Sequence, residues 1–303
     1  MLLPKDFETL RAKDLCSYIV SINNTSYTLV NKLGSGAFGV VYSAVAPHTE
    51  LRAVKLHRKG RDIEAKIAQV NEFVLHAEVS GHPNVVEFFT FSLQHDFPIS
   101  ILGFSDGEDL AVRLSEFDRN AGALIKTCIT QILKGVRHCH GASVFHCDIK
   151  PENILCSRDL KNFRLTDFGL ATHERYSTRH GHGTVQFMGP ECIGKEFSFR
   201  GKAYSTVKND IWALGIIFAR LIMGRYPWTV AITEDTGFKK YLDDDMSFRS
   251  YNFADKAGPL AIHPNVLSGR RLWRRFLSEP IFEFQPGFCP NLGMAPPRAQ
   301  FLP

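Results

Sequence analysis

The stretch Val144–Leu155 reads VFHCDIKPENIL, and it crowds polar side chains between flanks that favour burial. Asp148, Lys150, Glu152 and Asn153 lie close together, with Cys147 beside the first carboxylate. A surface turn explains the charges but not the apolar flanks. A reaction centre explains both, provided the rest of the chain supplies something to act on.

The 303-residue chain, 44% hydrophobic and 22% charged, has an ordinary globular composition and can bury a core as one large domain or two lobes. Its net charge of +5 is spread along the sequence, so anionic partners are favoured only mildly and no nucleic-acid partner is expected. MLLPKDFETLRAKD carries charges where a signal peptide needs an apolar run. IWALGIIFARLIMG is interrupted by Arg220 and too short to span a bilayer, so no membrane association is expected. Seven cysteines with no C-x-x-C pair argue against a disulfide framework or zinc ribbon and for a reducing compartment, cytoplasmic and/or nuclear.

Residues 1–26 read as an N-terminal extension. Tyr27 to Val45 alternates as strand on both sides of a glycine cluster, and LRAVKLH is a further strand with Ala53 and Lys55 on one face. Asp62 to Val79 lacks Gly and Pro and repeats Ile63, Ile67, Val70 and Val74 at helical spacing. GHPN ends that helix, and VVEFFTF and ISIL return to strand. From about residue 106 the texture turns helical, through Ile125, Cys128, Ile129, Ile132, Leu133 and Val136, and again from Ile211 to Met223. The fold class expected is α+β: a small β-rich lobe with one helix, then a larger, mostly helical lobe. Residues 251–303 are proline-rich without sustained period, an atypical tail expected to be disordered or to arise from a frame change in the coding sequence.

LGSGAFGVVY spaces Gly34, Gly36 and Gly39 as G-x-G-x-x-G. A dinucleotide fold needs a helix directly afterwards, whereas VVYSAV alternates as a strand, so the glycines sit at a hairpin tip. Backbone N–H groups there can approach phosphate oxygens, although a plain hairpin turn fits equally well. Lys55 shifts the balance, because an ammonium on a buried strand needs an anion. Nucleotide phosphates supply one, with a helix carboxylate to hold the lysine: Glu72, with Glu64 and Glu78 as rivals. GPECIGK has the spacing of another phosphate loop. It is rejected, because Glu196 stands where a hydroxyl must hold Mg²⁺.

The ordered set GSGAFGVV, AVK, HCDIKPEN, DFG, GTVQFMGPE and DIWALG resembles the protein kinase superfamily in its serine/threonine form. The resemblance covers a domain at 27–250, with an N-lobe at 27–102, a hinge at 103–105 and a C-lobe at 106–250. It implies a bilobal fold that uses ATP and Mg²⁺ to phosphorylate a protein Ser or Thr, acting as a monomer. Asp148 is then the base, Lys150 neutralises the transferred group, Lys55 with Glu72 holds phosphates, and Thr184 completes the catalytic set. Asn153 and Asp167 are the metal ligands it implies. The ATP site it implies comprises Leu33, Gly34, Gly36, Gly39, Val41, Ala53, Lys55, Leu102, Ser105 and Asp109. HCDIKPENIL, GPEC and LIMGRYPW before FKKYL further resemble a fungal kinase group that acts in nutrient response and in restraining meiosis.

Three departures stand out. Cys147 replaces the arginine that commonly grips an activation-segment phosphate, so phosphorylation of Ser177 or Thr178 is not expected to be needed. His180 and His182 form an H-x-H without further ligands and read as a solvated loop. No arginine after residue 250 convincingly pairs Glu191, which keeps a nucleotide-binding pseudokinase as the alternative.

Overall fold

The computed structural model describes residues 6–36, 39–47, 50–117, 122–195 and 201–242. The tail at 251–303, and with it any partner for Glu191 there, lies outside the described residues.

The first lobe contains α1 (Phe7–Ala12), β1 (Ile19–Ile22), β2 (Thr25–Ser35), β3 (Gly39–Val45), β4 (Arg52–His57), α2 (Ile63–Glu78), β5 (Phe88–Ser92) and β6 (Ile99–Gly103). Its strands form one antiparallel sheet in the order β1-β2-β3-β4-β6-β5. Val40, Tyr42 and Ala44 alternate onto the closed face of β3, as the two-residue period dictates. On the other face Val41 stands opposite Lys55 and Ser43 opposite Ala53, so this face looks into the interlobe cleft.

Residues 7–22, set apart above as an extension, are integral to this lobe. Asn23 and Asn24 both adopt positive φ, 48° and 64°, the geometry of a two-residue hairpin turn that asparagine tolerates best after glycine. The turn pairs β1 with β2. Phe7, Leu10, Leu15 and Tyr18 then share one apolar cluster with Tyr42 and Leu56. The Tyr42 hydroxyl accepts from the Leu15 N–H at 3.1 Å and donates to the Lys13 carbonyl at 3.2 Å.

Helix α2 forms where its spacing predicts, capped by Asp62, whose carboxylate accepts from the Ala65 N–H at 2.8 Å. Its buried face is not the predicted one. Ile63, Ile67 and Val74 are 69%, 54% and 43% exposed, whereas Phe73, Leu75 and His76 are buried. The second lobe takes the face carrying Leu75 and Val79, which join a cluster with Val136, Leu165, Phe168 and Leu214.

That second lobe contains α3 (Leu110–Arg113), α4 (Gly122–Gly141), β7 (Ile154–Cys156), β8 (Phe163–Leu165), β9 (Tyr176–Ser177), α5 (Pro190–Ile193), β10 (Tyr204–Ser205), α6 (Thr206–Met223) and α7 (Thr236–Leu242). In α4, Ile125, Cys128, Ile132 and Val136 are buried at the predicted spacing. Helix α6 starts before Ile211 because Ser205 caps it, accepting from the Lys208 N–H at 3.3 Å. The rejected phosphate loop Gly189–Lys195 is helix α5 closed by Gly194 in the left-handed region.

Tyr42→Phe keeps the ring packing and orphans the buried Leu15 N–H. It should cost about 1–2 kcal/mol in urea unfolding with an unchanged denaturant slope.

Candidate active site

Strand β4 carries Lys55 into the cleft, where its Nζ meets Glu72 Oε1 of α2 at 2.9 Å and Asp167 Oδ1 at 3.0 Å. Glu72 is therefore the helix carboxylate beside Lys55, and not Glu64 or Glu78. Burial works against the Lys55 charge, but the two carboxylates outweigh it and raise its pKa. The Lys55 ammonium in turn holds Asp167 down at about 2. Asp167 has a positive φ of 62°, and the Phe168 ring that follows is buried between His76 and His146, with centroids at 4.6 and 4.9 Å.

The catalytic-loop candidates converge beside this cluster. Asp148 Oδ1 accepts from the Thr184 N–H at 2.9 Å and from its hydroxyl at 2.8 Å. Lys150 Nζ lies 2.7 Å from Asp148 Oδ2 and donates to Thr184 Oγ1 at 2.9 Å. Asn153 Nδ2 donates to the Asp148 carbonyl at 2.9 Å, which leaves Asn153 Oδ1 as its free donor atom to a cation. The Asn153 carbonyl accepts from the Thr166 N–H at 3.0 Å, so Asn153 sits next to Asp167.

Two oxygen donors of this kind fit Mg²⁺, a hard ion that takes its remaining ligands from phosphate and water. Among the described residues no group of three or more His, Cys, Asp or Glu side chains could hold a metal. That includes the H-x-H segment, where His180 Nδ1 instead meets the Glu191 carbonyl at 3.0 Å. Glu191 itself is exposed.

The catalytic loop is held from beneath by a residue that motif spacing left without a role. Fully buried Asp210 accepts from the His146 N–H at 2.9 Å and the Cys147 N–H at 2.8 Å, and pairs with His140 Nε2 at 2.8 Å. Cys147 has a positive φ of 62°, a conformation that costs a non-glycine residue on the order of 1–3 kcal/mol, and the grip on both amides maintains it. The Asp148 N–H donates to His146 Nδ1 at 3.3 Å, so that ring's proton resides on Nε2 and is donated to the Thr166 carbonyl at 3.0 Å. The Cys147 thiol is pushed up chiefly by burial and next by Asp210, with Asp148 a lesser neighbour. It is an inert packing group beside Phe145, Val207 and Ile211.

For the nucleotide, Val41, Ala53 and Leu102 cluster with Val86 and Leu155 between the lobes. Leu155, at the end of the opening motif, and Val86 are additions that sequence spacing did not single out. Leu33 is outside this cluster and half exposed. Gly34 and Gly36 face open space, whereas Gly39 is required by the sheet: a Cβ there would lie 2.8 Å from the Leu56 carbonyl oxygen. Ala37 and Phe38, at the hairpin tip, lie outside the described residues. Gly103 ends β6 and donates to the Glu87 carbonyl at 2.8 Å. Ser105 is buried with its hydroxyl donated to the Cys156 carbonyl at 3.2 Å, and Asp109 caps α3 by accepting from the Val112 N–H at 3.1 Å. Both side chains are thus engaged by the fold.

The description "Protein kinase domain" matches residues 27–261. The negative regulator of sexual conjugation and meiosis from Schizosaccharomyces pombe is 33% identical over 246 residues, covering 74% of this chain and 52% of that protein. Myosin light chain kinase family member 4 from Homo sapiens is 30% identical, with 68% of this chain and 52% of its own length covered. The serine/threonine-protein kinase chk1 of S. pombe is 26% identical, with 73% and 45% covered. The chain thus spans about half the length of the curated relatives it matches.

Acid should loosen the site through His76. Burial lowers its pKa to about 4, against the partial support of its bond to the Val86 carbonyl at 2.8 Å. The unfolded chain binds that proton near 6.5, so the stabilisation is complete above this value and is lost as pH falls toward 4. The loss is on the order of 3 kcal/mol. Urea unfolding from pH 7 to 4 should show this decline, and His76→Leu should make it shallower.

Proposed function

The chain belongs to the protein kinase family, and on that premise we propose that it transfers the γ-phosphate of ATP to a serine or threonine hydroxyl of a protein substrate. The observation that carries this reading is the convergence of Lys55, Glu72 and Asp167 with Asp148, Lys150, Thr184 and Asn153 on one cleft. Phosphoryl transfer proceeds through a loose transition state, so positioning and counter-charge are most of what the protein contributes.

Lys55 binds the nucleotide phosphates, and the apolar cluster of Val41, Ala53, Leu102 and Leu155 takes the base. Thr184 engages Asp148 Oδ1 with two donors, which fixes the carboxylate and presents Oδ2 to the acceptor hydroxyl. A carboxylate has about four lone-pair positions, so Oδ2 can accept the hydroxyl proton while keeping Lys150. Lys150 places positive charge at the transferred group. Asn153 and Asp167 hold Mg²⁺, which when bound supplies further counter-charge to the phosphates.

The serine/threonine assignment draws support from relatives bearing that name and from Lys150 and Thr184 flanking the base. Activity without activation-segment phosphorylation is supported by the packing of that segment. Strand β9 pairs with β10, Ser177 is buried, and its Oγ accepts from the Arg179 N–H at 3.1 Å. Among the described residues no helix is long and apolar enough to cross a membrane. The six described cysteines are free thiols, which suits the cytoplasm or nucleus.

The purified chain should transfer phosphate from Mg-ATP to a Ser/Thr peptide library. Asp148→Asn should lower kcat by about 10²–10⁴-fold with Mg-ATP affinity retained, and Ser177→Ala with Thr178→Ala should leave turnover within about three-fold. Nucleotide binding without transfer by the unmutated chain would select the pseudokinase alternative.

A further inference from the structure

A cavity of about 760 Å³ opens beside Asp148. One wall is Asp148, Lys150, Gly183 and Thr184, and the facing wall is the β4–α2 connection, Arg58 to Asp62. None of Val41, Ala53 or Leu102 reaches it, so it is separate from the apolar site assigned to the base. Gly60 explains how the connection reaches this wall. A Cβ there would lie 2.7 Å from Lys66 N and 2.8 Å from Ala65 C, so only glycine lets the chain fold so tightly onto α2.

The charges around the cavity are unevenly satisfied. Glu72 and Asp167 share Lys55, Asp148 has Lys150, and the Asp62 carboxylate caps α2. Arg58 is drawn away, 3.4 Å from Glu8 and over the Phe7 ring. Lys59 and Arg61 remain: both are exposed, both line the cavity, and neither meets a carboxylate among the described residues.

From this juxtaposition we infer that Lys59 and Arg61 read an anionic side chain, carboxylate or phosphate, on the substrate close to the acceptor residue. The inference rests on the kinase reading above. A cavity of 760 Å³ is roughly 11 Å across, the span of about three residues of extended chain at 3.3 Å each. A peptide whose hydroxyl lies on Asp148 can therefore place a neighbouring side chain against both cations. Arg61 offers the planar fork that matches carboxylate and phosphate alike, and Lys59 adds a point charge.

The test is steady-state transfer to matched peptides bearing one acceptor serine. Alanine, glutamate, phosphoserine or lysine is placed in turn at each of the four positions on either side. For the unmutated chain, kcat/KM should rise at one or two positions, about 3- to 10-fold for glutamate and 10-fold or more for phosphoserine. Comparing those two peptides identifies which anion is read. Lys59→Ala with Arg61→Ala should bring the anionic-to-neutral ratio close to one, and Lys59→Glu with Arg61→Glu should favour the lysine peptide, a gain that misfolding cannot produce. Transfer with no positional preference, or a preference unchanged in both variants, overturns the inference and leaves the kinase reading standing. Transfer to no peptide at all overturns both.

Discussion

A single ammonium group ties the two lobes together through Glu72 and Asp167. Lys55 rises from the sheet of the first lobe, meets Glu72 on the helix beside it, and meets Asp167 on the loop that follows β8 in the second lobe. Removing such a charge from water is costly, and only two carboxylates at hydrogen-bond distance make it favourable. The same contact that stabilises the lysine therefore sets the position of α2 against the sheet. It also orients the loop at Asp167, whose left-handed backbone sends Phe168 into the core between His76 and His146. On the proposed reading, a nucleotide phosphate at Lys55 would meet a site already charged and aligned, which limits the reorganisation left for the reacting state.

The second anchor is Asp210, which plays for the catalytic loop the part that Lys55 plays for the cleft. It binds consecutive amides of His146 and Cys147 and holds the left-handed turn that directly precedes Asp148. His146 then links this loop to Thr166, next to Asp167, so the base and the metal-ligand candidates share one hydrogen-bonded frame. A thiol at position 147 fits this frame as a packing group. The activation segment is secured by a strand pair and by backbone bonds such as Gly181 N–H to the Cys192 carbonyl.

What could be read from the sequence follows from the range of the forces involved. The residues between Asp148 and Asn153 are neighbours whose spacing is itself the chemistry, and the burial of α4 follows a strict helical period. The buried face of α2 differs from the one its spacing suggests because the helix carries two apolar stripes. The one that wins holds Phe73, Leu75 and a buried histidine beside Glu72, which pairs with Lys55, a mixture that simple periodicity discounts. Strand β1 lies inside the stretch that composition sets apart as an extension, although Asn23-Asn24 between alternating residues is a hairpin signal. Asp210 lies more than sixty positions from the amides it binds, so only the folded chain reveals its role. Ser105 and Asp109 also have a part in the fold, the first through its hydroxyl on the Cys156 carbonyl and the second through Oδ1 as the cap of α3.

The central claim is that Lys55 and Glu72 act as one unit in binding the nucleotide. A double-mutant cycle of Lys55→Met and Glu72→Gln, read by calorimetric titration with Mg-ATP, tests it directly. Coupling of at least about 1 kcal/mol, with either single change costing nearly as much as both, is the result the account requires. Additive effects, or Mg-ATP affinity indifferent to Lys55, would contradict it.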